Sequence, residues 1–556
     1  MEIVPRRPAP SMRILACLGA AVLLDASLAR APFPADPAAP DPAFNSTLAT
    51  GAGSDEPKSQ PLRVDRISFR GNRALSASAL RTVAAPYLGR DLSAADIEHL
   101  RDALTHRYTD HGYINTSVVL DPDAPYHEGV LSVLVIEGRV KEIRVHGQNG
   151  LRSSYVVDRL RGPDDETLNT DVLRARLQRL SDDPLFARVA SSVEPGAEPG
   201  DAILDVDVQR ARPYSLSLAL NDYRPPSIGE KAYDIGGQVR DLTGFGDEVD
   251  ADVSGPVEFS GGIGYGLNWQ LPVGPRGSLA SLSAARIYTV QSAEPQSAQL
   301  INSTTERQEL KLTESIWGSL QQQFNLSASI ANERESTTGY ALPSFVPGLT
   351  EGSTRSLTAR LIPDYSYRSA QQYLTVRLTL LHADLLDYPS GAVSYPLPDK
   401  KYFIFIGQLH DLWKFPHAPF EFESRATVQR TDSQISDLHA QEIGGINSVR
   451  GFREDAFLAS NVENANLDFR WLALPGAGTP LRPAVALGIF FDWATGHDVG
   501  QPADTFSSCG LTLRLKWPHV QADLAYGLRL IHPAFVNADQ GSWQDHGIYV
   551  QIATTL

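Results

Sequence analysis

The segment Asp247–Ser254 reads DEVDADVS, and its side chains alternate between charged and apolar. Valine or alanine occupies positions 249, 251 and 253, and a carboxylate occupies positions 248, 250 and 252. Successive side chains of a β-strand point to opposite faces of the sheet. The segment therefore predicts a strand with one apolar and one charged face.

The same alternation recurs to the end of the chain, for example in YLTVRLTLL at 373–381 and CGLTLRLKW at 509–517. We count 16 such segments, which begin near residues 214, 231, 246, 262, 278, 302, 321, 354, 371, 401, 419, 461, 483, 506, 520 and 546. Their connections alternate in length. Short ones read DLTGF, PVGPRG, KFPHAP and WPH, and long ones include 334–353, 385–400 and 432–460.

Short turns at one end and long loops at the other are typical of outer-membrane barrels. A soluble β-sandwich also has alternating strands, but nothing in that fold makes loop length alternate by end. Closure also removes the open sheet edges that lipid does not tolerate. Residues 213–556 are therefore predicted to form an all-β, 16-stranded transmembrane β-barrel.

Upstream of the barrel, two consecutive units share the order β-α-α-β-β. The first covers residues 61–139 and the second 140–212, and each is predicted to expose a strand edge. Ser93 and Asp96 form a helix-start signal in the first unit. Residues 32–60 are rich in Pro, Ala, Gly and Ser without an amphipathic period, which predicts a flexible linker.

Residues 1–31 have the pattern of a secretory signal peptide, with Arg13 before the apolar run ILACLGAAVLL and small residues after it. Met1 or Met12 is the start. A lipoprotein site at Cys17 is an alternative that the continuing apolar run disfavours. Removal of the signal would leave Cys509 without a partner, so no internal disulfide is expected and Cys509 is interpreted as a small apolar side chain.

The formal net charge of −16 argues against nucleic-acid binding. The glycine-rich segment GGIGYG at 261–266 is followed by alternation and not by a helix, so it predicts a strand start and not a phosphate site. The 13 histidines are scattered, no H-E-x-x-H occurs, and no catalytic set is found. We expect no enzymatic activity, no metal and no cofactor.

Several motifs carry a resemblance that spans residues 61–556. The upstream units contain HRYTDHGYINTSVVL at 106–120, LVIEGRVKEIRVHG at 134–147 and LQRLSDDPLFARVASSVEPGAEPG at 177–200. The barrel region contains LTGFGDEVDADVSGP at 242–256, IGGINSVRGFRED at 443–455 and GIFFDWATG at 488–496. In order and spacing they resemble the two-partner secretion transporters of the haemolysin and filamentous-haemagglutinin secretion type.

The resemblance implies two periplasmic polypeptide-transport-associated (POTRA) domains before an outer-membrane barrel in contact with lipid. It implies export of one large secreted exoprotein, β-helical with an N-terminal secretion domain. Periplasmic transport has no ATP, so export would draw on the free energy of the exoprotein folding outside. The exoprotein would first add strand-like to POTRA edges.

The resemblance also assigns a site. Val449, Arg450, Gly451 and Phe452 match the family's motif at the tip of a loop, residues 432–460, that folds back into the barrel lumen. Gly444 and Gly445 would permit its hairpin. The family's inner-wall aspartate maps onto Asp492, which would pair with Arg450.

The residues themselves support an inward Asp492. In AVALGIFFDW, positions 485, 487, 489 and 491 are apolar and share one face, so Asp492 falls on the opposite face. A guanidinium can hold such a carboxylate through two parallel hydrogen bonds. From the residues alone Arg450 could also be a solvated loop arginine, and the motif is what favours the pair.

Three other functions stay open at this point. A barrel-assembly factor shares the plan but usually carries more POTRA units. A passive porin needs no such domains, and a barrel enzyme needs a nucleophile and base on one wall. The chain departs from the family in residues 32–60, which look too short for a pore-plugging helix, in the order Asn221-Asp222, and in ending at Leu556.

Overall fold

The computed structural model describes residues 61–123, 125–163, 166–258, 261–274, 277–290, 302–338, 353–387, 397–475, 482–534, 536 and 541–556. The predicted signal peptide and linker, residues 1–31 and 32–60, lie outside these ranges. The described residues divide into two compact units between Arg212 and Pro213.

The N-terminal unit opens with a small α+β fold. Its elements are β1 (Leu62–Val64), β2 (Arg66–Arg70), α1 (Ala77–Ala84), β3 (Arg90–Leu92), α2 (Ala94–Thr109), β4 (Ser117–Leu120), β5 (Tyr126–His127) and β6 (Val130–Ile136). Strand β6 pairs in parallel with β2 and antiparallel with β4. Helix α2 begins as predicted, because the Ser93 hydroxyl accepts from the Asp96 amide at 3.1 Å and the Ser93 amide donates to Asp96 at 2.9 Å. These hydrogen bonds lower the pKa of Asp96.

The second half of this unit repeats the arrangement. Its elements are β7 (Arg139–His146), α3 (Ser153–Leu160), α4 (Thr170–Ser181), β8 (Phe186–Pro195) and β9 (Asp201–Arg210). Strand β9 pairs in parallel with β7 and antiparallel with β8, as β6 does with β2 and β4. Each half has its own buried apolar core, around Leu100 and Val133 in the first and Leu180 and Val206 in the second. Among the described residues no helix is both long and apolar enough to cross a membrane.

Glu137 links the two halves. One carboxylate oxygen accepts from the Tyr108 hydroxyl at 3.0 Å and the Ala74 amide at 2.8 Å, within the first half. The other accepts from the Thr167 hydroxyl at 2.7 Å, in the second. Burial and the Glu137 charge raise the pKa of Tyr108, so this phenol remains a hydrogen-bond donor.

The C-terminal unit is a closed antiparallel barrel, and its 16 strands confirm the predicted fold class. Every barrel strand begins within two residues of its predicted start. In chain order the strands of this unit are β10 (Tyr214–Asn221), β11 (Ala232–Arg240), β12 (Glu248–Pro256), β13 (Gly262–Pro272), β14 (Leu279–Val290), β15 (Asn302–Gly318), β16 (Gln322–Thr338), β17 (Ser353–Arg368), β18 (Gln372–Leu385), β19 (Lys401–Lys414), β20 (Phe420–Arg430), β21 (Gln441–Ile443), β22 (Phe457–Ala459), β23 (Asn461–Pro475), β24 (Ala484–His497), β25 (Asp504–Lys516), β26 (Val520–Ile531) and β27 (Ile548–Thr555). Strands β21 and β22 are not part of the wall, which closes by pairing β27 with β10.

The wall has an apolar outside and a polar inside. On β24, Leu487, Ile489 and Phe491 are 43%, 59% and 43% exposed, whereas Phe490 and Asp492 are 4% and 0% exposed. This is the division that the alternation predicts, with Asp492 on the inner face. Two of the predicted long connections are 334–353 and 385–400. The first begins later than expected, because β16 extends to Thr338. Most of both connections lies outside the described residues.

Candidate functional site

The connection between β20 and β23 folds into the barrel. It contains the hairpin of β21 and β22, whose register pairs Ile443 with Phe457. The turn that follows β21 requires glycine at two positions, since Gly444 has φ 120° and Gly445 has φ 82°. A Cβ on Gly445 would lie 1.9 Å from the carboxyl carbon of Glu454, a contact no side chain could make.

Glu454 occupies the space that Gly445 leaves open. Its carboxylate accepts from the Ile446 amide at 2.7 Å, which closes the turn from inside. Burial raises the pKa of this loop carboxyl to about 8, and the nearby Asp455 and Asp222 add to the effect. The turn is therefore held by a carboxyl group that favours its neutral form.

The apolar side chains of the loop tip are fully buried. Val449 and Phe452 each have 0% exposure and belong to a cluster with Val462, Ala494 and Phe506. The rings of Phe452 and Phe506 meet edge to face with centroids 5.3 Å apart. Because Phe506 lies on β25, this contact fixes the tip against the inner wall.

Arg450 lies between two carboxylates. Its Nε and Nη2 donate to the two oxygens of Asp492, each at 2.7 Å, and its backbone amide donates to the same residue at 3.0 Å. Its Nη1 and Nη2 donate to the two oxygens of Asp468 at 2.8 and 3.1 Å. The guanidinium thus binds both carboxylates with paired hydrogen bonds, the geometry in which arginine is strongest.

All three charged groups are buried, with side-chain exposures of 4% for Arg450, 5% for Asp468 and 0% for Asp492. The local excess of negative charge is offset in two ways. Asn466 donates to Asp492 at 2.9 Å, and a second arginine, Arg425, lies 3.9 Å from Asp468. Buried charges that are fully hydrogen-bonded stabilise one arrangement, and loss of one partner strands the others.

Phe490 completes the arginine site. The Arg450 guanidinium carbon lies 3.7 Å from the centroid of this ring. The ring projects from β24 on the same inner face as Asp492, two residues away along the strand. It provides a cation–π contact on one side of the guanidinium plane while the carboxylates bind its edges.

The backbone of the tip is held by the last two strands. Tyr549 of β27 accepts from the Gly451 amide at 3.0 Å, and its hydroxyl donates to the Phe452 carbonyl. Arg529 of β26 donates to the Gly451 carbonyl at 2.5 Å. The tip therefore contacts five neighbouring strands of the 16-stranded wall, β23 to β27.

Gln544 connects the tip to the point where the barrel closes. This fully buried amide precedes β27 and accepts from the Glu454 amide at 2.8 Å. Its Nε2 donates to the carbonyls of Asp222 and Arg224, just after β10, at 2.5 and 2.7 Å. One side chain thus joins the loop, the first strand and the last strand.

The base of the loop has a separate attachment on the other side of the barrel. His439 Nε2 lies 2.8 Å from Glu333 of β16, and its Nδ1 lies 2.6 Å from the hydroxyl of Tyr402 on β19. Glu333 also accepts from Arg360 at 2.6 Å. The loop is therefore anchored at its base and at its tip to different strands.

The structure brings together all the site residues that the sequence singled out: the tip residues 449–452, the turn glycines 444 and 445, and Asp492. Sequence reasoning missed Asp468, Gln544 and Tyr549. Asp468 had a signal, because it alternates with Asn466 and Arg470 on the inner face of a predicted strand. Among the described residues, no three His, Cys, Asp or Glu side chains are placed to hold a metal ion.

Two family models match the chain. The model for the haemolysin secretion/activation proteins ShlB, FhaC and HecB covers residues 200–488, and that for ShlB-type POTRA domains covers residues 62–138.

Among curated proteins, the heme/hemopexin transporter protein HuxB of Haemophilus influenzae (strain 86-028NP) is 24% identical over 198 residues, 35% of this chain and 34% of the relative. The hemolysin transporter protein HpmB of Proteus mirabilis is 26% identical over 168 residues, 30% of this chain and 28% of the relative. The chain thus matches about a third of the length of these two relatives. The outer membrane transporter CdiB of Escherichia coli O6:K15:H31 (strain 536 / UPEC) is 21% identical over 532 residues, 88% of this chain and 82% of the relative.

Solved structures share the fold over nearly the whole chain. CdiB from Escherichia coli has a TM-score of 0.69 at 17% identity and covers 92% of this chain and 93% of its own. CdiB from Acinetobacter baumannii has a TM-score of 0.61 at 15% identity, with coverages of 93% and 94%.

Proposed function

Because the chain belongs to the haemolysin secretion/activation protein family ShlB/FhaC/HecB, we propose that it is an outer-membrane pore that exports one large partner exoprotein. The barrel lies in the outer membrane, with POTRA-type structure in the periplasm. The relatives described above are transporters by name, of heme/hemopexin and of hemolysin in two cases. The proposal assigns the chain no enzymatic reaction.

The observation that carries the proposal is the anchored loop inside the barrel. Inside the barrel, a segment is held by a buried arginine between two carboxylates, and its apolar tip packs on the wall. All of these contacts are non-covalent, so the loop can be released without breaking a covalent bond. An exported chain needs that release, because the filled lumen would obstruct it.

The N-terminal unit supplies the recognition step of the proposal. Its two larger sheets end in β2 and β4, and in β7 and β8. A strand at a sheet edge presents backbone amides and carbonyls to an extended peptide. An unfolded exoprotein segment would add to such an edge and then enter the barrel. Recognition of this kind depends mainly on the backbone of the exported chain.

Folding of the exported partner would set the direction of transport. The periplasm supplies no nucleotide, and the proposed driving force is folding of the exoprotein outside the cell. Residues 432–460 would shift within the lumen while the chain passes. The turn at Gly444 and Gly445 is the segment about which the tip would swing.

The test is secretion of the exoprotein encoded beside this chain's gene. Cells that lack the chain should retain that protein, and cells that regain it from a plasmid should release it into the medium. The amounts of unrelated outer-membrane barrels should stay unchanged. Depletion of those barrels, with normal secretion of the partner, would instead indicate a barrel-assembly factor and contradict the proposal.

A further inference from the structure

A row of charged residues crosses the outer face of four neighbouring strands. Arg286 of β14 is the register partner of Glu306 on β15, Glu306 is the partner of Arg334 on β16, and Arg334 is the partner of Arg355 on β17. The row lies toward the ends of the strands that lead to the long connections. Ile330 precedes Arg334 by four residues on the same face of β16 and is 59% exposed, so the row faces outward.

The charges in this row are unbalanced. Arg286 pairs with Glu306 at 3.3 Å, which leaves Arg334 and Arg355 side by side. Like charges directly opposite each other on neighbouring strands destabilise a sheet. Two guanidinium groups on neighbouring strands can bind one anion between them.

The hydrogen bonds of the two arginines go to neutral groups. Arg355 Nε donates to the Asn332 side-chain carbonyl at 3.0 Å, and Arg334 Nε lies 3.4 Å from the Ser353 hydroxyl. Among the described residues, neither arginine has an ion-pair partner. Both arginines are exposed.

An apolar groove lies on the same face, nearer the short-turn ends of the strands. Its volume is about 530 Å³, and its lining includes Leu310, Ile330 and Phe403. The groove exists because Ala328 and Ala359 leave a depression among larger side chains. Four residues separate Ile330 from Arg334, which at the rise of a β-strand is about 13 Å.

We propose that this face binds a phosphorylated glycolipid of the surrounding membrane. The headgroup phosphate lies between Arg334 and Arg355, and an acyl chain lies in the groove. A guanidinium matches phosphate with two parallel hydrogen bonds, and one phosphate offsets the repulsion between two arginines. Free phosphate would use the arginines alone, whereas a lipid uses both the arginines and the groove. The site depends on the barrel lying in the membrane and does not depend on export.

The test measures lipid retained by the full-length protein purified in detergent. Native mass spectrometry would compare binding of a diphosphorylated diglucosamine lipid with the same lipid after removal of its phosphates, each with and without added inorganic phosphate. The double variant Arg334→Gln/Arg355→Gln removes the phosphate contacts. Arg368→Gln is the control, because it removes an exposed arginine at the other end of β17, and Ala359→Leu fills the groove while leaving both arginines in place.

We expect the anionic lipid to be retained in preference to the neutral one and not to be displaced by inorganic phosphate. The double variant should weaken retention about tenfold or more, and Ala359→Leu should weaken it as well, while Arg368→Gln matches the wild type. Heat-modifiable migration on gels verifies that each variant is a folded barrel. Equal retention of the two lipids, an unaffected double variant, an unaffected Ala359→Leu, or displacement of the lipid by phosphate would each overturn the proposal.

Discussion

Gly451 at the loop tip and Gly527 on β26 lie backbone against backbone. A Cβ on Gly527 would lie 2.6 Å from the amide nitrogen of Gly451, and neither backbone can rotate away as a side chain could. Two glycines distant in sequence thus permit the tip to touch the wall. The hydrogen bonds of Arg450, the neighbouring residue, depend on this approach.

The substitution Gly527→Ala should therefore displace the tip while the barrel still assembles. Overpacking of this kind destabilises by about 1–3 kcal/mol. The expected result is a lower melting temperature, greater protease sensitivity of residues 432–460, and reduced export. Gly237→Ala in β11 is the control, because nothing lies within 4 Å of a Cβ there. Wild-type melting and protease resistance in Gly527→Ala would contradict the close contact.

Substitution of Arg450 by Ala should abolish or severely reduce export and leave the barrel assembled. The change removes four side-chain hydrogen bonds and strands Asp468 and Asp492. A buried ion pair that loses one partner is destabilised by about 3–5 kcal/mol. The measurement is the exoprotein in the medium, alongside heat-modifiable migration of the barrel.

Two controls sharpen this prediction. Arg368→Ala removes an exposed arginine at the end of β17 and should export normally. Arg450→Lys keeps the charge but cannot bind both carboxylates in pairs, so its export should remain well below that of the wild type. Export by Arg450→Ala at the wild-type level would contradict the role assigned to Arg450 in export.

The substitution Gln544→Leu should loosen the loop tip and the closure between β10 and β27 together. It removes three hydrogen bonds and leaves the Glu454 amide and two carbonyls unsatisfied. Each buried unsatisfied group costs about 1–3 kcal/mol. We expect a lower melting temperature and a larger pore conductance in planar bilayers.

For comparison, Gln501→Leu changes an exposed glutamine outside the strands. Conductance and melting of that variant should equal those of the wild type. If Gln544→Leu behaves in the same way as Gln501→Leu, the coupling through this amide is refuted.

Glu454 predicts a pH dependence of the loop. Burial raises its pKa from an ordinary value of 4.5 to about 8, so the folded loop favours the neutral carboxyl. The stabilisation from this group is full below the ordinary pKa and is lost as the pH rises through about 8. Melting temperature should fall and protease sensitivity of the loop should rise between about pH 4.5 and pH 8.

The variant Glu454→Gln keeps an acceptor for the Ile446 amide and has no charge to gain. Its pH dependence should be shallower than that of the wild type, although Asp455, whose burial raises its pKa to about 7, keeps part of the slope. Identical pH profiles for the two proteins would exclude Glu454 as the titrating group.

The alternation of side chains predicted the barrel well because it reflects local geometry. Each strand needs one face for lipid and one for the lumen, so period two persists even where individual residues vary. The inward position of Asp492 followed from the same count. The glycine turn of the loop was predicted, but the strands β21 and β22 were not, because each has only three residues.

The contacts of the site were less accessible to sequence reasoning. Arg450 pairs with Asp468 as well as Asp492. Asp468 is one of several inward-facing polar residues of β23, so alternation alone does not single it out. Gln544 bonds to residues more than 300 positions away. Nothing in a one-dimensional pattern distinguishes a polar residue that faces water in the lumen from one that meets a loop.

A closed wall of alternating strands, a glycine turn before an arginine, and a carboxylate on the inner face all follow from the order of the residues. Which inward groups meet that arginine follows from the three-dimensional fold. Side chains of the same chemistry line the inside of every strand, and their heights depend on the register by which each strand pairs with the next. That register brings Asp468 and Asp492 level with Arg450 and places Gly527 where the tip needs room.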